Sequence, residues 1–155
     1  MKTKIGLDAE KSEMLAKDLN QLIVYLHIFY MKVKVFQWNI TGKKYFEVQL
    51  KFDKAYTDSI INKIDEVAER ILVLGYFPDY SFSGYMKGEE VEAISGEARG
   101  SAAVREILES SEVILGIERK LLDLATACKD AGTAALMVEY IKNQEKYTWM
   151  FSAYL

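Results

Sequence analysis

The 155-residue chain is 50% hydrophobic and 12% aromatic, which suits a single domain over residues 1–155 with a real core and excludes a disordered composition. Its 23 acidic and 20 basic side chains give a formal net charge of -3, which excludes a globally cationic nucleic-acid binder and leaves at most a small basic arm around Lys2 and Lys4. One cysteine, Cys128, excludes an intrachain disulfide, and the lack of an apolar leader or of any run of 18 uncharged apolar residues predicts a cytoplasmic chain that does not span a membrane.

Pro78 is the only proline, and the abundance of strong helix formers predicts long helices. The first should run from about Asp8, a suitable N-cap, to about Ile40. Leu15, Leu19, Leu22, Ile23, Leu26, Phe29, Val33, Phe36 and Ile40 recur at helical spacing, and Thr41-Gly42 supplies the stop. The second should span about Lys44 to Leu74, with Phe46, Leu50, Tyr56, Ile60, Ile64, Val67, Ile71 and Leu74 on its apolar face and Gly75 behind it. Tyr76 to Gly100 reads as a long connection with a short helix over Tyr80 to Met86. The third helix is predicted from Ser101 to Cys128, with Val104, Ile107, Leu108, Ile114, Leu115, Ile117, Leu121, Leu122 and Leu124 inward. A turn over Lys129-Asp130-Ala131-Gly132 leads to the fourth, Thr133 to Ala153. Short, long and short connections between four helices predict an all-α four-helix bundle with one long crossover, the topology of ferritin-like folds.

Two segments say more. The first is Phe36-Gln37-Trp38-Asn39-Ile40-Thr41-Gly42 with Tyr45-Phe46-Glu47-Val48-Gln49-Leu50-Lys51-Phe52-Asp53. The second is Ile64-Asp65-Glu66-Val67-Ala68-Glu69-Arg70-Ile71-Leu72-Val73-Leu74-Gly75. In this order they resemble the Dps family of mini-ferritins, whose pattern is H-W-N-x-x-G-x-x-F-x-x-L-H-x-x-x-D followed by D-x-x-A-E-R-x-x-x-L-G. The C-terminal Trp149 to Leu155 is also similar to that family's helix ending. The resemblance implies a hollow dodecameric shell that takes in ferrous iron, oxidises it with hydrogen peroxide and stores the ferric mineral, with DNA as a further partner of some members.

The resemblance also implies a metal site between two subunits at a twofold axis. Carried over, one subunit gives Gln37, Gln49 and Asp53, and the other gives Asp65 and Glu69. Asp53, Asp65 and Glu69 would be the catalytic carboxylates. Both positions at which the family has histidine hold glutamine. Imidazole is a good Fe(II) ligand, whereas an amide oxygen is a weaker and harder one. The all-oxygen set would hold iron weakly or not at all, and Mg²⁺ or Ca²⁺ would suit it.

His27 does not replace the missing ligands. It precedes Gln37 by ten residues, about 80° around a helix, and reads as a packed or hydrogen-bonded helix residue. Asp53 and Asp65 are twelve positions apart, one more than the family spacing. The extra residue swings Asp65 about 120° from Asp53 on a regular helix, so a π-bulge near Ser59 to Lys63 is expected. Asp58, Asn62, Asp65 and Glu69 share a stripe at helical spacing, which reads equally as a ligand row or a solvated face. Family members admit iron past acidic residues near the start of the last helix, where only Asp130 is available here.

The Glu66/Arg70 spacing suggests an intrahelical ion pair, and Glu118 lies beside Arg119 and Lys120. Trp38 is expected at a subunit contact. Two functional readings remain. One is a ferroxidase with an oxygen-rich site. The other is an assembled cage without ferroxidase activity that serves as a structural or DNA-binding protein.

Overall fold

The structure, a computed structural model, describes residues 1–39, 54–79, 81 and 100–155. Among these are four long helices: α1 (Ala9–Asn39), α2 (Lys54–Val73), α3 (Gly100–Ala127) and α4 (Ala131–Ser152). The first part of the second predicted helix, the Thr41-Gly42 stop and the short helix expected over Tyr80 to Met86 lie outside the described residues, apart from Ser81.

α1 starts where its cap dictates. Lys11 N–H donates to Asp8 Oδ1 at 3.0 Å, satisfying one of the amides that the first turn leaves without an intrahelical partner. The predicted apolar positions Leu15, Leu19, Leu22, Ile23, Leu26, Phe29, Val33 and Phe36 are all buried. α2 buries Tyr56, Ile60, Lys63, Val67 and Ile71, a seam of threes and fours that keeps one face inward and that Leu74 continues into the turn behind it. It ends in a Schellman turn. Tyr76 N–H donates to Ile71 O at 3.1 Å and Gly75 N–H to Leu72 O at 2.9 Å, with Gly75 at φ +95.

α3 ends in the same turn, but the left-handed residue is Lys129, at φ 59. Asp130 N–H donates to Ala125 O at 2.9 Å and Lys129 N–H to Thr126 O at 3.0 Å. The turn is therefore tighter than the sequence suggests, and α4 begins at Ala131, two residues early, with Asp130 as its N-cap. The core of α3 also differs from expectation. Leu108, Ile117, Leu122 and Leu124 are only partly buried, while Ser111 and Glu118 lie inside.

Side-chain contacts fix the relative directions of the helices. Tyr76 Oη donates to Ala9 O at 2.8 Å, so the end of α2 meets the start of α1. Lys120 pairs with Asp18 at 3.3 Å and Lys32 with Ser110 at 3.0 Å, so α3 is antiparallel to α1. Ser59–Asn143 and Arg70–Thr133 contacts make α4 antiparallel to α2. The order is up-down-down-up, and the parallel pair α2/α3 is the one that the long connection joins. This is the all-α bundle with a crossover that the punctuation predicts.

α1 packs against α2 and α3, and α3 against α4. α2 and α4 meet across an open seam spanned by long side chains, with a cleft of about 390 Å³ between them, bordered by Asp58, Asn62, Glu66, Glu139 and Asn143. The residues before α1 are folded back. Thr3 N–H donates to Leu7 O at 2.8 Å and Ala9 N–H to Met1 O at 3.0 Å, through a turn at Gly6. Lys2 and Lys4 thus sit on a short closed turn. No described helix is long and apolar enough to cross a membrane.

Candidate metal centre

Gln37 stands in the last turn of α1, half-buried, and accepts from Lys34 Nζ at 3.3 Å through its Oε1. The adjacent Trp38 is 68% exposed, which leaves a large aromatic surface at this end of the helix. Gln49 and Asp53 lie outside the described residues.

Asp65 and Glu69 are both exposed, one turn apart on α2. The buried seam through Ile60, Lys63, Val67 and Ile71 turns positions 65 and 69 to the opposite side of the helix. The π-bulge expected near Ser59 to Lys63 is not formed: α2 is a regular α-helix throughout. The reason is that same seam. A bulge would rotate everything beyond it and take Val67, Ile71 and Leu74 out of the core. Asn62 shares the exposed side with Asp65 and Glu69, and Asp58 is half-buried beside the cleft. Among the described residues of one chain, no three His, Cys, Asp or Glu side chains form a group that could hold a metal.

His27 behaves as a helix residue. Its Nδ1 lies 2.8 Å from Ile23 O, one turn back.

Two expected pairings, those of Arg70 and Glu118, are corrected, and Asp130 has a structural role within the chain. It is buried, accepts from Thr133 N–H at 3.1 Å as the α4 cap, and pairs with Arg70 Nη2 at 2.6 Å. Burial pushes this carboxyl up, but the hydrogen bonds from Arg70 and Thr133 and the Arg70 charge outweigh it and hold the pKa below its ordinary value. Arg70 therefore turns to Asp130 on another helix, and its Nε donates to Thr133 Oγ1 at 2.8 Å. Glu118 belongs to neither Arg119 nor Lys120. Arg119 pairs with Glu145 at 2.9 Å and Lys120 with Asp18, while Glu118 is fully buried with Lys63 Nζ at 3.8 Å.

Sequence reasoning missed the Lys63–Glu118 pair, although its signal was present. Both residues occupy positions that the apolar seams of α2 and α3 assign to the core. Burial pushes the Glu118 carboxyl up to about 7, with the charges of Lys63 and Arg119 opposing it. Burial also pushes Lys63 down, with Glu118 and Glu66 opposing. Tyr56 lies nearby, edge-on to Phe29 with ring centroids 6.1 Å apart. Burial raises its pKa.

The comparisons with known proteins agree with this architecture. The Ferritin-like domain family model matches residues 16–155. The chain is 34% identical to the DNA protection during starvation protein of Porphyromonas gingivalis, over 96% of this chain and 93% of that one. It is 31% identical to DNA protection during starvation protein 2 of Bacillus anthracis, over 88% and 93%. The crystal structure of the DPS protein from Vibrio cholerae O1, described as a member of a broad superfamily of ferritin-like diiron-carboxylate proteins, superposes with a TM-score of 0.90 at 40% identity, covering 99% of this chain and 96% of that one. With a four-helix bundle of matching topology and relatives of this kind over nearly its whole length, the chain belongs to the ferritin-like Dps family.

Proposed function

We propose that this chain is the subunit of a cytoplasmic, hollow homododecamer that sequesters iron and protects against oxidative stress. In this reading Fe(II) is the substrate and hydrogen peroxide the oxidant. Two Fe²⁺ with one H₂O₂ and two H₂O give two FeO(OH) and four H⁺, and the mineral stays inside the shell. The observation that carries it is the placement of Asp65 and Glu69. They lie exposed one turn apart on α2, turned away from the chain's own core and available to a second copy. Asp53, with Gln37 and Gln49 at the places where the family has histidine, would complete the set from that copy.

Three carboxylates and two amides make a hard, negatively charged site. It would lower the Fe(III)/Fe(II) potential by favouring the more highly charged ion, and it would hold Fe(II) itself weakly. The test is to load the assembled protein anaerobically with Fe(II), add hydrogen peroxide and follow ferric absorbance against buffer. Rapid oxidation with iron retained at the size of the shell, abolished by Asp65→Ala with Glu69→Ala, is expected. A rate equal to buffer would overturn the ferroxidase reading.

A second reading, an assembled cage without ferroxidase activity, is favoured by Gln37 and Gln49. It requires that Gln37→His with Gln49→His create activity where the parent has none. DNA binding has less support. Lys2 and Lys4 lie on the folded turn ahead of α1, and a lysine-rich extended arm would need that turn to open.

A further inference from the structure

Lys63 stands between carboxylates on two sides. Inside is Glu118 of α3, fully buried, with Lys63 Nζ at 3.8 Å. Outside is the cleft between α2 and α4, which Lys63 borders together with Asp58, Glu66 and Glu139. The inner contact is incomplete. At 3.8 Å the ammonium neutralises Glu118 without a hydrogen bond, and among the described residues neither carboxylate oxygen has a hydrogen-bond partner. A buried carboxylate held this way is costly, and a proton relieves the cost. The cleft offers the ammonium another place. Glu66 is exposed three positions further along α2, a spacing at which helical side chains meet, and its charge already supports the Lys63 ammonium. Tyr140 Oη donates to the Lys63 carbonyl at 3.2 Å, which fixes the backbone there and leaves the four-carbon stem able to turn.

The groups around Glu118 leave its charge to Lys63. α2 brings Lys63 and the Tyr56 phenol, and α4 brings the Tyr140 phenol and Gln144, whose Nε2 donates to Ser111 Oγ at 2.8 Å. α1 buries only Ser12 besides apolar side chains, and the charges it turns towards α3, Asp18 and Lys32, are engaged with Lys120 and Ser110. Arg119, next in α3, pairs with Glu145 at the surface. Burial therefore outweighs the opposing charges of Lys63 and Arg119 and brings the Glu118 carboxyl into the neutral range.

We propose that Lys63 and Glu118 form a proton-driven switch, in which Glu118 takes up a proton as the Lys63 ammonium, keeping its own charge, leaves the core for the carboxylates of the cleft. Loss of the proton brings the ammonium back. In the acidic state the cleft gains a cation and the ion pair between α2 and α3 is open; in the alkaline state that pair is closed. The switch stands independently of whether the intersubunit set oxidises iron.

The test is infrared spectroscopy of the assembled protein across neutral pH, with crystal structures at about pH 5 and about pH 9. The carbonyl stretch of a protonated, buried carboxyl should appear as pH falls through about 7 and be absent in Glu118→Gln. The acidic crystal should place Lys63 Nζ within hydrogen-bond reach of Glu66, Asp58 or Glu139, and the alkaline one should place it beside Glu118. Glu118→Gln, which mimics the uncharged carboxyl, should hold the lysine at the cleft at both pH values. No buried carboxyl proton in this range, or an acidic crystal with Lys63 still beside Glu118, would overturn the switch. Where Glu118→Gln does not assemble, the two crystals of the native protein decide the matter, since neither needs a variant.

Discussion

Arg70 and Asp130 meet at 2.6 Å, Nη2 to Oδ1, and so tie the last turn of α2 to the cap of α4. Both side chains are largely buried, and the same carboxylate also accepts from Thr133 N–H. Removing the guanidinium strands a buried charge. Arg70→Met should lower unfolding free energy by about 2–3 kcal/mol, the scale of a charged hydrogen bond lost inside a protein. Urea unfolding at neutral pH reads this directly.

The same contact gives the fold an acid-sensitive component. The folded Asp130 pKa is below its ordinary value of 3.8, so its contribution is fully present above that value. It is lost as pH falls through the folded pKa. Urea midpoints measured downward from pH 5 should fall less steeply in Asp130→Asn than in the parent. Parallel curves would refute the assignment.

Gly132 lies beneath Arg70. A Cβ there would approach Arg70 Nη1 at 2.8 Å and Cζ at 2.9 Å, so Gly132→Ala must shift the guanidinium that pairs with Asp130. We expect a loss of about 1 kcal/mol, the net of a weakened ion pair and a better helix former. In an Arg70→Met background the clash is gone, and the same change should stabilise by about 0.5–1 kcal/mol. A double-mutant cycle measures this reversal of sign.

Lys129 carries the left-handed turn between α3 and α4 at φ 59, a conformation that costs a side chain with a Cβ roughly 1–2 kcal/mol. Lys129→Gly should therefore raise the thermal midpoint. The net gain is about 1 kcal/mol after the extra chain entropy of glycine, with α4 still starting at Ala131.

If the intersubunit set is all-oxygen, hard cations should compete for it. Excess Mg²⁺ or Ca²⁺ should slow peroxide-dependent iron oxidation severalfold in the parent, and should do so less after Gln37→His with Gln49→His, because imidazole selects the transition metal. Equal inhibition in both proteins would refute the ligand assignment.

The helices, their order and the long crossover were legible because each rests on local signals: the seam of α1, the glycine behind α2, the aspartate cap at Asp8. What was not legible depends on partners distant in sequence. An i, i+4 rule pairs Arg70 with Glu66, and only the fold shows that Asp130, sixty residues on, presents a buried carboxylate. The seam of α3 turns position 118 inward, but nothing local to Glu118 shows that its counter-charge is Lys63 on another helix. The spacing of Asp53 and Asp65 suggested a bulge, but the described helix keeps its hydrophobic seam, so packing outweighed any pull towards family register. Gln37, Asp65 and Glu69 were placed on their helices correctly by the motifs, and exposure of the two carboxylates was not deducible from the motif alone.

The up-down-down-up order has a kinetic consequence. α1 with α2, and α3 with α4, are pairs of helices adjacent in sequence, whereas Lys63 of α2 meets Glu118 of α3 across a longer stretch of chain, at a larger loop-closure cost. Contacts within a pair should therefore be present at the rate-limiting barrier, and the Lys63–Glu118 contact between pairs should form after it. Conservative changes at Gln144, which bonds Ser111 between α4 and α3, would then slow folding, while changes at Lys63 would mainly hasten unfolding, a difference that stopped-flow chevrons resolve. A protein built this way keeps its two halves together through the rate at which they part.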